Sequence, residues 1–210
     1  MTAAYRIAVV GTSWGGLAAL RELVSYLPAT LSIPVVLVQH RHKDSDHMLA
    51  MLLQDRTELR VCEVEDKAPI EAGTVFVAPP DYHLLVEGDS FSLSVDDPIR
   101  YSRPSIDLMF SSAADSFGAA TIGVVLTGAN ADGAEGLRRI TGRGGLALVQ
   151  DPATAESPAM PAAALKAVPG ARVLTVSAIG ALIGQLATTQ VSDAAHKASV
   201  PLRNTPEARP

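Results

Sequence analysis

The chain has 210 residues, of which 48% are hydrophobic, 19% charged and 4% aromatic. This composition is typical of a packed globular protein, and the length favours one domain over two. The formal net charge is −5 and Lys and Arg form no dense run, so a nucleic-acid partner is not expected. The single Cys62 cannot form an internal disulfide, and no segment has the roughly 20 uninterrupted apolar residues of a membrane span. We therefore expect a cytoplasmic protein that is not embedded in a membrane.

Short apolar runs alternate with helical patterns along the chain. A strand at 7–10, a glycine-bearing turn, a helix at 16–26 and a second strand at 34–38 form the first unit. Such uniformly apolar strands are typical of a parallel sheet covered on both faces. The pattern predicts an α/β fold, with a doubly wound, mostly parallel sheet flanked by helices. Further strands are predicted at 59–64, 74–78, 122–126, 145–149 and 172–176, and helices at 48–53, 105–117 and 157–167.

Two segments depart from the alternation of strands and helices. Strand-like runs at 83–86 and 91–95 flank the segment Glu87-Gly88-Asp89-Ser90, which predicts an inserted β-hairpin. From about residue 188 the apolar periodicity is lost, and Ala, Ser, Pro, Arg and Asn predominate. We therefore predict one folded domain over residues 1–187 and a flexible C-terminal tail over residues 188–210.

The loop after the first strand carries the clearest chemical motif. The run Gly11-Thr12-Ser13-Trp14-Gly15 matches the G-x-S-x-G nucleophile elbow between a strand and a helix. Free N–H groups at the start of that helix would stabilise an oxyanion. A phosphate- or dinucleotide-binding turn is an alternative, although its glycine spacing is missing here. Ser13 is also a suitable helix N-cap, so the turn alone leaves its role open.

Two other strand ends carry polar residues that complement Ser13. His40 directly follows the second strand, where an imidazole can act as a general base. His42 is the competing candidate for that base. Asp132 follows the strand at 122–126 and could hold the imidazole through a hydrogen bond, or alternatively cap the helix that begins near Ala134. The order Ser, His, Asp differs from the Ser, Asp, His order of the α/β-hydrolases, so that family is disfavoured.

At these residues the chain resembles the catalytic domain of the protein-glutamate methylesterases of bacterial chemotaxis, the CheB type. The resemblance covers about residues 5–187 and implies a Rossmann-like three-layer sandwich with a Ser-His-Asp triad, here Ser13, His40 and Asp132. It also implies that residues 1–187 form a methylesterase catalytic domain. The matching segments occur in the family's order and are IAVVGTSWGG at 7–16, VQH at 38–40, VAPPDYH at 77–83, SRPSIDLMF at 102–110, VLTG at 125–128 and DG at 132–133.

The resemblance also implies a reaction. Ser13 would attack the methyl ester of a receptor glutamate, His40 would accept and return the proton, and water would release the acyl-enzyme. Glutamine deamidation is a further activity of the family. The expected oxyanion donors are the backbone N–H groups of Trp14 and Ala129. The expected partner is the methylated cytoplasmic domain of a chemoreceptor, along with other chemosensory proteins, and no metal or organic cofactor is expected.

Three departures from the family pattern accompany the resemblance. Trp14 stands where a small or hydroxylated residue is usual, and the loop that commonly reads Thr-Gly-Met-Gly-x-Asp-Gly is TGANADG at 127–133. The usual phosphorylatable receiver domain is not recognised, so a stand-alone form is expected. Two alternative functions stay open: a catalytically silent binding module with Trp14 occluding the site, and an esterase for a different ester. The presence of Ser13, His40 and Asp132 together favours an enzyme.

Overall fold

The computed structural model describes residues 5–42 and 48–198, with side chains up to residue 187. The strands are β1 (Ile7–Thr12), β2 (Val35–Gln39), β3 (Arg60–Glu63), β4 (Thr74–Val77), β5 (His83–Glu87), β6 (Ser90–Ser94), β7 (Thr121–Val125), β8 (Leu146–Gln150) and β9 (Arg172–Leu174). The α-helices are α1 (Gly16–Ser25), α2 (Met48–Gln54), α3 (Ile106–Phe117), α4 (Ala134–Gly142), α5 (Ala159–Ala167) and α6 (Val176–Ala198). Short 3₁₀ turns lie at Gly118–Ala120 and Pro152–Thr154.

Within these residues, seven parallel strands form one sheet in the order β3-β4-β2-β1-β7-β8-β9. All six residues of β1 are buried, which explains why the central strands are continuous apolar runs. Side chains of α1, α2 and α6 cover one face of the sheet, whereas α3, α4, α5 and the hairpin cover the other. This arrangement confirms the predicted doubly wound α/β sheet, and the antiparallel β5–β6 pair confirms the hairpin.

The strand order places a topological switch point beside β1. From β1 the chain proceeds to β2 on one side, and it later returns to β7 on the other side. The helix α1, which follows β1, packs on one face, while α4, which follows β7, packs on the opposite face. The carboxyl edge of the sheet beside this switch point is the usual ligand site in open α/β sheets.

The N-terminus of α3 packs directly against the end of β1. A Cβ atom at Gly11 would lie 2.2 Å from Cγ2 of Ile106, so no larger residue fits between strand and helix. This close approach brings the first turn of α3 to the carboxyl edge of the sheet, beside the end of β1. This helix end becomes important for the geometry of the site.

The backbone of α6 crosses the predicted start of the tail. The helix continues to Ala198, so a boundary at residue 188 falls inside a helix. Apolar periodicity reports a buried face and not the full length of a backbone helix. Residues 199–210 lie outside the described part of the chain, and their predicted flexibility stays a prediction. Of the helices in the described ranges, none is long and apolar enough to cross a membrane.

Candidate active site

Ser13 follows β1 in the turn that leads to α1. Its backbone N–H donates to the carbonyl of Thr127 at 3.0 Å, and its own carbonyl accepts from Gly16 N–H at 2.9 Å and from Gln39 Nε2 at 2.8 Å. The residue is half-buried, and its hydroxyl forms no hydrogen bond with any residue that the structure describes. The backbone of the turn is thus held from three sides while the hydroxyl is left unbonded.

The start of α1 does not use Ser13 as its cap. The N-cap position is Gly15, in the left-handed conformation with φ of 77°, and no side chain caps the helix. Glycine adopts this conformation without the steric cost that a side chain would bring. The capping interpretation of Ser13 is therefore wrong, because Gly15 occupies the N-cap position and the Ser13 side chain caps no N–H of α1.

The loop after β7 approaches the same turn. A Cβ atom at Gly128 would lie 3.0 Å from the Cβ of Ser13 and 2.6 Å from Cε of Met160, so only glycine permits this contact. Within the described chain, the backbone N–H groups of Trp14 and Ala129 have no hydrogen-bond acceptor. The two N–H groups expected as oxyanion donors are therefore both without a partner among the described residues, and their role stays a prediction.

His40 continues β2 at the neighbouring strand end. Its backbone N–H donates to the carbonyl of Thr12 at 3.0 Å, which extends the parallel pairing of β2 with β1. Its side chain is 11% exposed, and Nε2 lies 2.8 Å from Oδ2 of Asp132. The structure thus brings His40 and Asp132, 92 positions apart in the sequence, into direct contact.

The carboxylate of Asp132 is buried and lies against the first turn of α3. It accepts hydrogen bonds from the backbone N–H of Ile106 at 2.7 Å and of Asp107 at 2.9 Å, and from the hydroxyl of Ser105 at 3.2 Å. The helix α4 begins after Gly133, which is its N-cap residue, and Asp132 accepts from no N–H within α4. The interpretation of Asp132 as the cap of α4 is therefore wrong, because its oxygens stabilise α3 instead.

These contacts govern the ionisation of Asp132. Burial by itself raises the pKa of the carboxyl group, but the hydrogen bonds from His40 and from the backbone of Asp107 and Ile106 outweigh it. The pKa of Asp132 consequently lies below its ordinary value, and the carboxylate is ionised at neutral pH. An ionised carboxylate can only accept, so the hydrogen in the contact belongs to His40 Nε2.

The neighbouring Asp107 has the opposite shift. Burial raises its pKa, and the negative charge of Asp132 adds to this, while a hydrogen bond from the backbone N–H of Gly136 opposes it. Its Oδ1 accepts that bond at 2.8 Å, so Asp107 ties α3 to the start of α4. Two adjacent carboxyl groups thus have pKa values displaced in opposite directions.

Asn130 is a residue of the site that sequence reasoning missed. Its Nδ2 lies 3.3 Å from His40 Nδ1, and its Oδ1 accepts from the backbone N–H of Asp132 at 3.1 Å. The sequence did contain a signal, since a polar amide stands in the loop two positions before Asp132. Without the tertiary structure, however, nothing indicated that this amide faces the imidazole.

A cavity of about 470 Å³ opens on the other side of His40. His42, the competing base candidate, is exposed and lines this cavity, whereas the carboxylate of Asp132 contacts His40. The other residues that line the cavity are Arg41, Asp81, Pro98, Tyr101, Ser102 and Arg103.

Trp14 does not line this cavity. Its side chain is 66% exposed, and its carbonyl accepts from Thr127 Oγ1 at 2.9 Å. Among the residues that the structure describes, no cluster of His, Cys, Asp or Glu could hold a metal ion.

The chain is thus a doubly wound α/β protein with a serine turn and a histidine–aspartate pair at the switch point of its sheet. The sequence model of the CheB methylesterase family matches residues 8–183. The chain belongs to this family, which confirms the resemblance found in its motifs.

Individual relatives agree with this assignment. The chain is 43% identical over 183 residues to the "Putative protein-glutamate methylesterase/protein-glutamine glutaminase" of Leptospira interrogans, covering 87% of this chain and 95% of that protein. It is 36% identical to the "Protein-glutamate methylesterase FrzG" of Myxococcus xanthus, where the match covers 86% of this chain and 54% of the relative. The crystal structure of the Thermotoga maritima CheB methylesterase catalytic domain superposes with a TM-score of 0.84 at 31% identity, covering 88% of this chain and all of that domain.

Proposed function

We propose that this chain is a serine hydrolase that removes methyl esters from glutamate side chains in the cytoplasmic domain of a chemoreceptor. The observation that carries the proposal is the 2.8 Å contact of His40 Nε2 with Asp132 Oδ2, at the sheet edge where Ser13 also lies. Membership of the CheB methylesterase family and the printed names of the relatives support the methyl ester as substrate. The same names support glutamine deamidation as a second activity.

The proposed reaction begins at the imidazole. Because Asp132 accepts from Nε2–H, the lone pair of His40 is on Nδ1, and Nδ1 takes the proton of the Ser13 hydroxyl as its oxygen attacks the ester carbonyl. The negative oxygen of the tetrahedral intermediate faces the unbonded N–H groups of Trp14 and Ala129. Collapse of the intermediate expels methoxide, which leaves as methanol with the proton returned by His40.

The second half of the reaction repeats these steps with water. His40 removes a proton from water, the resulting hydroxide attacks the acyl-enzyme, and Ser13 leaves with the returned proton. The products are one glutamate carboxylate and one methanol for each water consumed. A glutamine side chain would react in the same way, with ammonia as the leaving group.

Methanol release from methylated receptor membranes tests the proposal. The unchanged chain is expected to release methanol, and Ser13→Ala is expected to lower the rate by about 10³-fold or more, since the attacking oxygen is lost. Ser25→Ala is the matched control, because Ser25 is exposed on α1 and donates only to the Glu22 carbonyl. Its rate should equal that of the unchanged chain.

The other outcomes distinguish the alternatives. Equal release by the unchanged chain and by Ser13→Ala would rule out a serine mechanism. Release by neither, together with Ser13-dependent hydrolysis of a small ester such as p-nitrophenyl acetate, would point to a different ester substrate. Absence of both activities would favour the silent binding module.

A further inference from the structure

The amide of Asn130 links the two residues of the histidine–aspartate pair. Its Oδ1 accepts from the backbone N–H of Asp132 at 3.1 Å, and its Nδ2 faces His40 Nδ1 at 3.3 Å. The residue is half-buried beside an imidazole that is 11% exposed.

The backbone of Asp132 determines which way the amide points. A backbone N–H can only donate, so the amide atom that faces it must be the oxygen. The NH₂ group of Asn130 therefore points toward His40. An amide NH₂ can also only donate, so it is compatible with His40 only if Nδ1 carries a lone pair and not a hydrogen.

The other side of the ring imposes the same protonation state. The ionised Asp132 carboxylate accepts from Nε2, where the hydrogen must then be. Asn130 and Asp132 thus act on opposite nitrogens and favour one tautomer, with hydrogen on Nε2 and the lone pair on Nδ1. This is the tautomer in which Nδ1 can take a proton from a serine.

We propose that Asn130 is a positioning residue that fixes His40 as the Nε2–H tautomer and occupies its Nδ1 lone pair in the resting site. The inference rests on the proposed function insofar as His40 is the base. The Ser13 hydroxyl, which has no hydrogen bond within the described chain, must displace the amide before it can transfer its proton. Asn130 therefore holds the base ready and competes with the nucleophile for the same nitrogen.

The tautomer can be measured directly by ¹⁵N NMR of histidine-labelled protein, with His40 assigned through its loss in His40→Gln. In its neutral imidazole form, His40 of the unchanged chain should show an unprotonated Nδ1 and a protonated Nε2. Asn130→Ala removes the donor to Nδ1, so the share of the Nδ1–H form should rise. A protonated Nδ1 in the unchanged chain would overturn the proposal without any variant.

Asn130→Asp tests whether the group that faces His40 Nδ1 must be a hydrogen-bond donor. Its carboxylate can only accept, so Nδ1 would become a donor and the imidazolium form would gain a second anionic partner. The acidic limb of the kcat/KM profile should then move to higher pH, with the Nδ1 signal becoming protonated. Ala131→Asp is the matched control, because it adds the same charge at an exposed neighbouring position and should leave both readouts nearly unchanged.

The remaining outcomes separate this proposal from the proposed function. Spectra and pH profiles that are the same in Asn130→Ala, Asn130→Asp and the unchanged chain would refute a positioning role, even if methanol release depends on Ser13. An equal shift in Ala131→Asp and Asn130→Asp would also refute it, since a general charge effect would explain both. Conversely, an Asn130-dependent tautomer in a chain without esterase activity would preserve the tautomer assignment while refuting the proposed function.

Discussion

The histidine–aspartate pair and the serine turn differ in how far their side chains are already bonded. The Asp132 carboxylate accepts from His40, Ser105, Ile106, Asp107 and Gly133. The Ser13 hydroxyl, by contrast, has no partner among the described residues, although its backbone is firmly held. The fold thus holds the histidine–aspartate pair through several hydrogen bonds, whereas no described residue bonds the Ser13 hydroxyl. Substitutions in the histidine–aspartate pair and in the serine turn should therefore differ in their effects on turnover and stability.

Of the substitutions in the histidine–aspartate pair, loss of the imidazole should have the largest effect on catalysis. His40→Gln removes the proposed base, and turnover should fall by about 10⁵- to 10⁶-fold, as for removal of a triad base. His42→Gln leaves the contact with Asp132 intact, so its rate should stay within about tenfold of the unchanged chain. Both rates are measured as methanol release from methylated receptor membranes. A greater loss with His42→Gln would reverse the assignment of the base.

Asp132→Asn should affect activity and stability together. The amide would place an NH₂ group against N–H donors, so turnover should fall by about 10⁴-fold through loss of the correct tautomer. The free energy of unfolding should fall by about 1–3 kcal/mol, since buried donors at α3 lose their acceptor. Urea unfolding followed by circular dichroism measures the second effect. Unchanged stability would show that the carboxylate does not support α3.

The pH dependence of this loss follows from the pKa of Asp132. Because that pKa is lowered in the folded state, the stability that the Asp132 carboxylate contributes is fully present above the unfolded-state pKa of about 4. This stability is lost as the pH falls through the folded-state pKa. The stability difference between the unchanged chain and Asp132→Asn should therefore shrink in acid. Asp107→Asn is the control, because the stability contributed by Asp107 should change with pH in the opposite direction. The pKa of Asp107 is raised in the folded state, so the stability that it contributes is fully present below its unfolded-state pKa and is lost as the pH rises through the folded-state pKa.

The smallest expected effect tests the docking of the two loops at Ser13. In Gly128→Ala the new Cβ would lie 2.6 Å from Met160 Cε and 3.0 Å from Ser13 Cβ, so the loop must shift. Turnover should fall by about tenfold and stability by about 1–3 kcal/mol, the usual range for overpacking. Gly142→Ala is the matched control, because a Cβ there meets no atom within 4 Å and helix propensity favours alanine. Equal behaviour of the two variants would show that the contact at Ser13 is not tight.

Much of the fold could be predicted because it depends on local patterns. Uniformly apolar runs such as the one in β1 predict buried parallel strands, and the alternating runs around Gly88 predict the hairpin. The end of α6 could not be placed in this way, since periodicity reports a buried face and not the length of a helix. The roles assigned to Ser13, His40 and Asp132 as a triad stay predictions, although the structure places all three at one edge of the sheet.

The sequence by itself determined that three polar residues follow strands whose carboxyl ends share an edge, because strand ends can be recognised from the local alternation of residue types. Only the tertiary structure decided which groups these residues contact. Asp132 precedes α4 in sequence but stabilises α3, and Asn130 reaches His40 across 90 positions. Such contacts depend on the order of strands in the sheet and on the packing of α3 against β1, which no local pattern specifies. For that reason Ser13 could be read as a helix cap from its turn alone, until the left-handed Gly15 proved to occupy that position.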